Sequence, residues 1–194
     1  MADSSFKRVV IFASGSGSNA QRLMEYFDNH ASIRIVALFS NNPEAFALER
    51  ARKFNIPAQV FTREAFRNGT VLEQVKTFNP DLVVLAGFLW LVPAHFIAAY
   101  PNKIINIHPA LLPKFGGKGM HGHFVHEAVL QQKEKESGIT IHYVNEYYDQ
   151  GAAIYQHVCP VELEDTPELL AKRVLALEHE HLPRVVEMLL QEQK

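Results

Sequence analysis

The chain predicts an α/β fold: one domain over residues 1–194, a Rossmann-like open sheet, mixed but mostly parallel, with helices on both faces. Three observations predict it. Short apolar runs alternate with amphipathic stretches as far as residue 107, as expected of strands buried on both faces. The turn Ser14-Gly15-Ser16-Gly17-Ser18-Asn19 follows the first of those runs. Beyond residue 138 two strand-like runs adjoin across a turn, which makes the sheet mixed.

Residues 7–13 are apolar and valine-rich, so they read as a buried strand. After the Ser-Gly turn, residues 20–27 form an amphipathic run. Residues 33–40 are a second strand and 44–54 a helix, with Phe46, Leu48 and Ala51 among its less polar positions. Residues 58–61 are a short third strand. Residues 63–78 read as a helix interrupted near Asn68-Gly69. Residues 81–86 form a fourth strand, 93–100 a short helix with Pro93 at its start, and 103–107 a fifth strand. Residues 111–122, rich in glycine, proline and lysine, are a loop, and 126–132 are helical. Residues 139–144 and 153–161 are two further strands. Asp165-Thr166-Pro167-Glu168 signals a last helix reaching about residue 190, which Pro183 kinks or divides.

The 194 residues are enough to bury a substantial core. One cysteine, Cys159, rules out an internal disulfide framework and fits a reducing compartment, so a cytoplasmic protein is expected. A net charge of −2 gives no field that would gather nucleic acid. No apolar run reaches the ~20 residues that span a bilayer. The opening MADSSFKRVVIF lacks the layout of a signal peptide. Neither nucleic acid nor membrane is expected as a partner, and the protein is expected as a monomer or homodimer.

A strand, a Ser-Gly-rich turn and a helix make an anion cradle. Glycine lets the backbone approach, and the helix start offers unpaired amides and the positive end of its dipole. Ser18 or Asn19 is expected to cap that helix. The third glycine of the dinucleotide fingerprint is missing, with Gln21 at about its place, and the Walker lysine is absent, which favours a monophosphate. A tight turn that merely needs glycine would look the same.

Asn106-Ile107-His108-Pro109 ends the fifth strand. Residues two apart on a strand share a face, so Asn106 and His108 reach one spot at the sheet edge where such folds bind ligands. An amide can donate to a developing oxyanion, and an imidazole can move a proton near neutral pH. Asp149, followed by Gln150-Gly151 between the last two strands, could hold the imidazole or favour its charged form. Each residue alone has an ordinary reading: one of ten histidines, a strand end, a turn aspartate. Together they suit acyl transfer. Cys159 sits in an apolar strand and no G-x-S-x-G elbow is present, so direct transfer between two bound substrates fits better than a covalent acyl-enzyme.

NIHPALLP, AGFLWLV, the opening SGSGSN, Asp149-x-Gly151 and the late Glu178-His179 resemble the phosphoribosylglycinamide formyltransferase family of folate-dependent enzymes, over residues 8–188. The resemblance implies formyl transfer from 10-formyltetrahydrofolate, as co-substrate without a metal, to the amino group of glycinamide ribonucleotide in purine synthesis. It implies that Gly17, Ser18, Asn19 and Gln21 hold the substrate phosphate, and that Glu178 accepts from the ribose hydroxyls. Leu89, Trp90, Leu91 and Val92 would present main-chain groups to the pterin. Asn145, Glu146, Tyr147 and Tyr148 would close over it, and Arg63 would pair with the glutamate tail of the folate. Asn106 would steady the oxyanion, His108 move the proton, and Asp149 raise the imidazole pKa. The amine would attack the formyl carbon, and a tetrahedral intermediate would release tetrahydrofolate.

The chain departs from the family's pattern in places. Trp90 stands where many relatives have a basic residue, and Leu175 where a polar side chain often meets the phosphate. Gln150 and Ala152 replace a more usual glycine-rich turn. GGKGMHGHFVHEAV is longer than usual, and its His121, His123 and His126 invite a metal reading. A mobile loop with incidental histidines, in which Lys118 could approach a phosphate, is the reading taken here. A hydrolase relative would carry an extra N-terminal domain, and a formyltransferase acting on initiator tRNA an extra C-terminal one. A noncatalytic nucleotide sensor would leave the Asn-His-Asp group unexplained, and the incomplete glycine fingerprint disfavours a dehydrogenase.

Overall fold

In the computed structural model, which describes residues 6–192, the opening apolar run forms β1 (Lys7–Phe12). Residues 1–5, part of the stretch read above for a leader, lie outside the described residues. The chain continues through α1 (Ser18–Phe27), β2 (Ile33–Ser40), α2 (Phe46–Lys53) and β3 (Ala58–Val60). Then come α3 (Arg63–Arg67), α4 (Thr70–Lys76), β4 (Leu82–Leu85), α5 (Ala94–Ala99) and β5 (Ile104–His108). The last elements are α6 (His123–Gln131), β6 (Glu136–Tyr143), β7 (Ala153–Pro160) and α7 (Pro167–Glu192).

Among the described residues the strands form one seven-stranded sheet in the order β3-β2-β1-β4-β5-β6-β7. β1 to β5 pair in parallel, while β6 and β7 add antiparallel at one edge. The alternation of β1 explains the two-sided burial. Val9 and Ile11 join a core with α1, α2 and α7, whereas Val10 and Phe12 join a second core with α3, α4 and α5. Each face would expose its strand side chains to water without its helices, so an uninterrupted apolar strand requires both layers.

Several local expectations are corrected. α1 begins at Ser18, and its N-cap is Gly17, left-handed at φ 70, with no side-chain cap bond. Neither Ser18 nor Asn19 caps the helix, because both lie inside its first turn and the Asn19 amide is engaged elsewhere. α6 starts at His123, three residues before the expected start at 126. β6 starts at Glu136, because pairing of Glu136 with Pro160 and Ser137 with Cys159 extends the ladder beyond the apolar run. Pro183 does not divide α7. Pro183 is buried, and its neighbours Leu182, Val185 and Val186 belong to the core that includes β1, which holds the helix in place across the amide hydrogen bond that proline lacks. The break expected near Asn68-Gly69 is present, with Gly69 at φ 91 and the Asn68 side chain accepting from the Thr70 amide.

Candidate active site

From β1 the chain goes outward to β2, and from β4 it goes the opposite way to β5, so a crevice opens at the carboxyl ends of these neighbouring strands. A cavity of about 930 Å³ lies there. Its walls are the loop after β1, residues 86–89 after β4, the end of β5, residues 117–123, Tyr148-Asp149 and one face of α7. The first two walls are tied together: the Ser14 amide donates to the Gly87 carbonyl at 3.0 Å, and the Leu89 amide to Ser14 Oγ at 3.0 Å.

The loop after β1 folds tightly against α2. A Cβ on Gly17 would lie 2.5 Å from the Ala47 Cβ, so only glycine allows this approach. The Ala47 amide donates to the Gly15 carbonyl at 3.1 Å, and Arg50 Nε donates to the Ser16 carbonyl at 2.8 Å. With loop carbonyls held from behind by α2, the first-turn amides of α1 remain for an anion. Gly17, Ser18 and Asn19 line the cavity. Gln21 lies off it, with its side-chain amide 2.6 Å from Glu25 Oε1.

Asn19 Nδ2 donates to Glu178 Oε2 at 2.7 Å, which brings α7 to the cradle. Burial pushes the Glu178 carboxyl up to about 7, against the Asn19 bond. A neutral carboxyl does not repel a phosphate and can both donate and accept. The buried Asn19 Oδ1 has no protein partner.

At the other side of the cavity, Asn106 and His108 share one face of β5, as period two requires. Asp149 reaches both: its Oδ2 lies 3.6 Å from His108 Nδ1, and its Oδ1 accepts from Asn106 Nδ2 at 3.4 Å. The Gly117 amide also donates to Asp149 Oδ2, at 2.9 Å. His108 Nε2 lies 2.7 Å from the Phe115 carbonyl, which can only accept, so Nε2 carries the hydrogen. In the neutral ring Nδ1 is therefore the basic nitrogen.

Burial lowers the His108 pKa, and the Asp149 charge and the Phe115 carbonyl only partly offset it. Asp149 thus acts in the expected upward direction, but burial outweighs it. For Asp149, burial pushes upward, yet His142 and His108 in their protonated forms, with the Gly117 amide, bring the net value below the usual carboxylate range. A neutral base beside an ionised carboxylate can accept a proton and have its new charge balanced.

Sequence reasoning missed His142. It is paired directly with Asn106 across the β5–β6 ladder, and in an antiparallel pair such residues share a face. His142 Nε2 lies 3.1 Å from Asn106 Nδ2 and 3.6 Å from Asp149 Oδ1. The available signal was Thr140-Ile141-His142, polar residues two apart in a strand otherwise read as apolar. The glycine of the Asp149-x-Gly151 element also has a physical cause. A Cβ on Gly151 would sit 1.6 Å from the Tyr143 carbonyl oxygen and 3.4 Å from His142 Nδ1.

The residues expected to hold the folate are split. Leu89 and Tyr148 line the cavity. Trp90, Leu91, Val92, Arg63, Asn145, Glu146 and Tyr147 lie outside that lining. Leu91 and Tyr147 are exposed, Val92 is buried, and the Arg63 guanidinium stacks 4.8 Å over the half-buried Trp90 ring. Phe88 packs into an aromatic core with Phe12, Phe61 and Phe66. Lys118, His121, His123, His126 and Leu175 line the cavity. Burial, followed by His123 and His108, takes the His126 pKa down to about 4. Among the described residues no group of three or more His, Cys, Asp or Glu is arranged to hold a metal ion, and no helix is long and apolar enough to cross a membrane.

A family model described as formyl transferase matches residues 7–186. The chain is 41% identical over 187 residues to the chloroplastic phosphoribosylglycinamide formyltransferase of Arabidopsis thaliana, an alignment covering 93% of this chain and 64% of that relative. It therefore spans less than two-thirds of the plant protein's length. The chain is 35% identical over 194 residues to phosphoribosylglycinamide formyltransferase of Bacillus subtilis, covering 95% of each. The crystal structure of phosphoribosylglycinamide formyltransferase from Anaplasma phagocytophilum superposes with a TM-score of 0.88 at 37% identity, covering 96% of this chain and 87% of that one.

Proposed function

This chain belongs to the formyl transferase family, and on that footing we propose that it transfers the formyl group of 10-formyltetrahydrofolate to the primary amine of glycinamide ribonucleotide, a step of purine synthesis. One observation carries the reading. The Asn106 amide and the His108 imidazole both meet Asp149, within 3.4 and 3.6 Å, in the cavity whose far side is the Ser14–Asn19 cradle. A phosphate at one end and a proton-transfer group at the other suit an amine carried on a phosphorylated sugar.

In this reading Gly17, Ser18 and Asn19 hold the phosphate through loop and helix amides, with Gln21 completing the turn, and Glu178 binds the ribose hydroxyls. Leu89 to Val92, Asn145 to Tyr148 and Arg63 hold the folate. The exposed apolar side chains of Leu89 and Leu91 beside the half-buried Trp90 suit a flat aromatic ring, and the Arg63 cation suits its acidic tail. The folate supplies the formyl carbon. The amine attacks that carbon directly through a tetrahedral intermediate. His108 Nδ1 takes the proton released by the amine, Asp149 balances the imidazolium, and an Asn106 N–H faces the oxygen that gains charge. The same proton then goes to the folate nitrogen as its bond to the formyl carbon breaks. The protein acts as one domain, monomeric or homodimeric, in the cytoplasm.

An absorbance assay of folate product, run with and without glycinamide ribonucleotide, tests this. Product that depends on the amine is expected. Equal product without the amine would make the protein a hydrolase, and no product in either case would overturn the reading.

A further inference from the structure

The Asn106 carboxamide could present either its nitrogen or its oxygen to the reacting centre, and only the nitrogen can donate to an oxyanion. The choice is decided two residues away in space. His142 Nδ1 lies 2.8 Å from the Tyr143 carbonyl oxygen, an obligate acceptor, so Nδ1 carries the ring hydrogen. In the neutral ring Nε2 then holds the lone pair and can only accept. An acceptor 3.1 Å from the Asn106 side chain selects the NH2 end of the amide. The other ring tautomer would donate instead. It would draw in the amide oxygen and set that oxygen beside the Asp149 carboxylate, where like charge is unfavourable.

We infer that His142 is a positioning residue for formyl transfer: with its tautomer fixed by the Tyr143 carbonyl, its Nε2 holds the Asn106 carboxamide with the NH2 group toward the reacting centre. One amide hydrogen is spent on His142. The second makes only a 3.4 Å contact with Asp149 Oδ1, so it is the one a developing oxyanion can take. Three features of the fold build this arrangement. Asn106 and His142 are direct partners across an antiparallel pair. The β6–β7 register shifts between Ile141 and His142, and such irregularities re-aim side chains. The Tyr143 carbonyl is packed directly under Gly151, where no side chain fits. The inference rests on the reading of Asn106 as an oxyanion donor.

The test is a double-mutant cycle in the formyl transfer assay, with thermal melts on each variant. His142→Leu is expected to lower kcat by about tenfold or more, with both KM values within about twofold, since loss of an oxyanion donor acts on the transition state. His142→Gln, whose Oε1 can accept where Nε2 did, is expected to recover most of that rate. His142→Leu combined with Asn106→Ala is expected to be no slower than Asn106→Ala alone. Additive losses, or a Gln variant no faster than Leu when both melt like the wild type, would overturn the role. Imidazole nitrogen chemical shifts of the wild-type protein at pH 8 give a readout that needs no substitution. A His142 ring protonated at Nε2 would also overturn it. Failure of the wild-type protein to transfer a formyl group would instead count against the proposed function, and the tautomer would still be read.

Discussion

Glu178 gives the sharpest test of the electrostatics of the cavity. Its carboxyl is buried on α7, hydrogen-bonded to Asn19 and raised to about 7 from an ordinary 4.5. A carboxyl with a raised folded-state pKa favours folding most when it is neutral in both states, below about 4.5. As pH climbs toward 7 the unfolded chain ionises freely while the folded one resists. Stability is therefore lost through that window and levels off above it. A rise from 4.5 to about 7 corresponds to about 3 kcal/mol of lost stability, an upper bound for this group. Glu178→Gln keeps the shape and an acceptor for the Asn19 amide but cannot ionise. Chemical denaturation of both proteins at pH 5, 6, 7 and 8 isolates the effect, because every other titrating group cancels in the difference. The variant is expected to gain on the wild type steadily from pH 5 to 7, by about 1–3 kcal/mol at pH 8, with a flat difference beyond. Parallel curves for the two proteins would refute the claim that the buried carboxyl resists ionisation.

Three further outcomes follow from the same geometry. Asp149→Asn is expected to cut kcat by about 100-fold or more and to move the acid limb of the pH profile lower, since the aspartate is what holds the His108 pKa up against burial; an unmoved limb would remove Asp149 from the proton transfer. Gly151→Ala is expected to cost roughly 1–3 kcal/mol by overpacking, read by denaturation, because the new Cβ would overlap the Tyr143 carbonyl. Arg50→Ala releases the Ser16 carbonyl, so it is expected to raise KM for the ribonucleotide several-fold while leaving KM for the folate unchanged, as steady-state kinetics would read.

The strands were legible because burial on both faces leaves no freedom of composition: Val9 to Phe12 must be apolar whichever way each side chain points. The Asn106–His108 spacing was legible for the related reason that strand geometry alone sends both to one side. The cap of α1 was not, because an N-cap serine or asparagine and a left-handed glycine compete for the same turn, and contact with Ala47 on α2 decided for Gly17. His142 was hidden because a strand histidine has no meaning until its cross-strand partner is known, and a pairing register is a long-range property.

By itself, the sequence determined the layering of the sheet, the glycine-rich turn at its edge and the shared face of Asn106 and His108, since these follow from local periodicity and side-chain chemistry. Only the tertiary structure decided which tautomers His108 and His142 adopt, how far Glu178 resists ionisation, and that α7 runs unbroken through Pro183. Those properties are set by carbonyls, burial and packing contributed by segments remote in the chain, and no local pattern of residues encodes them.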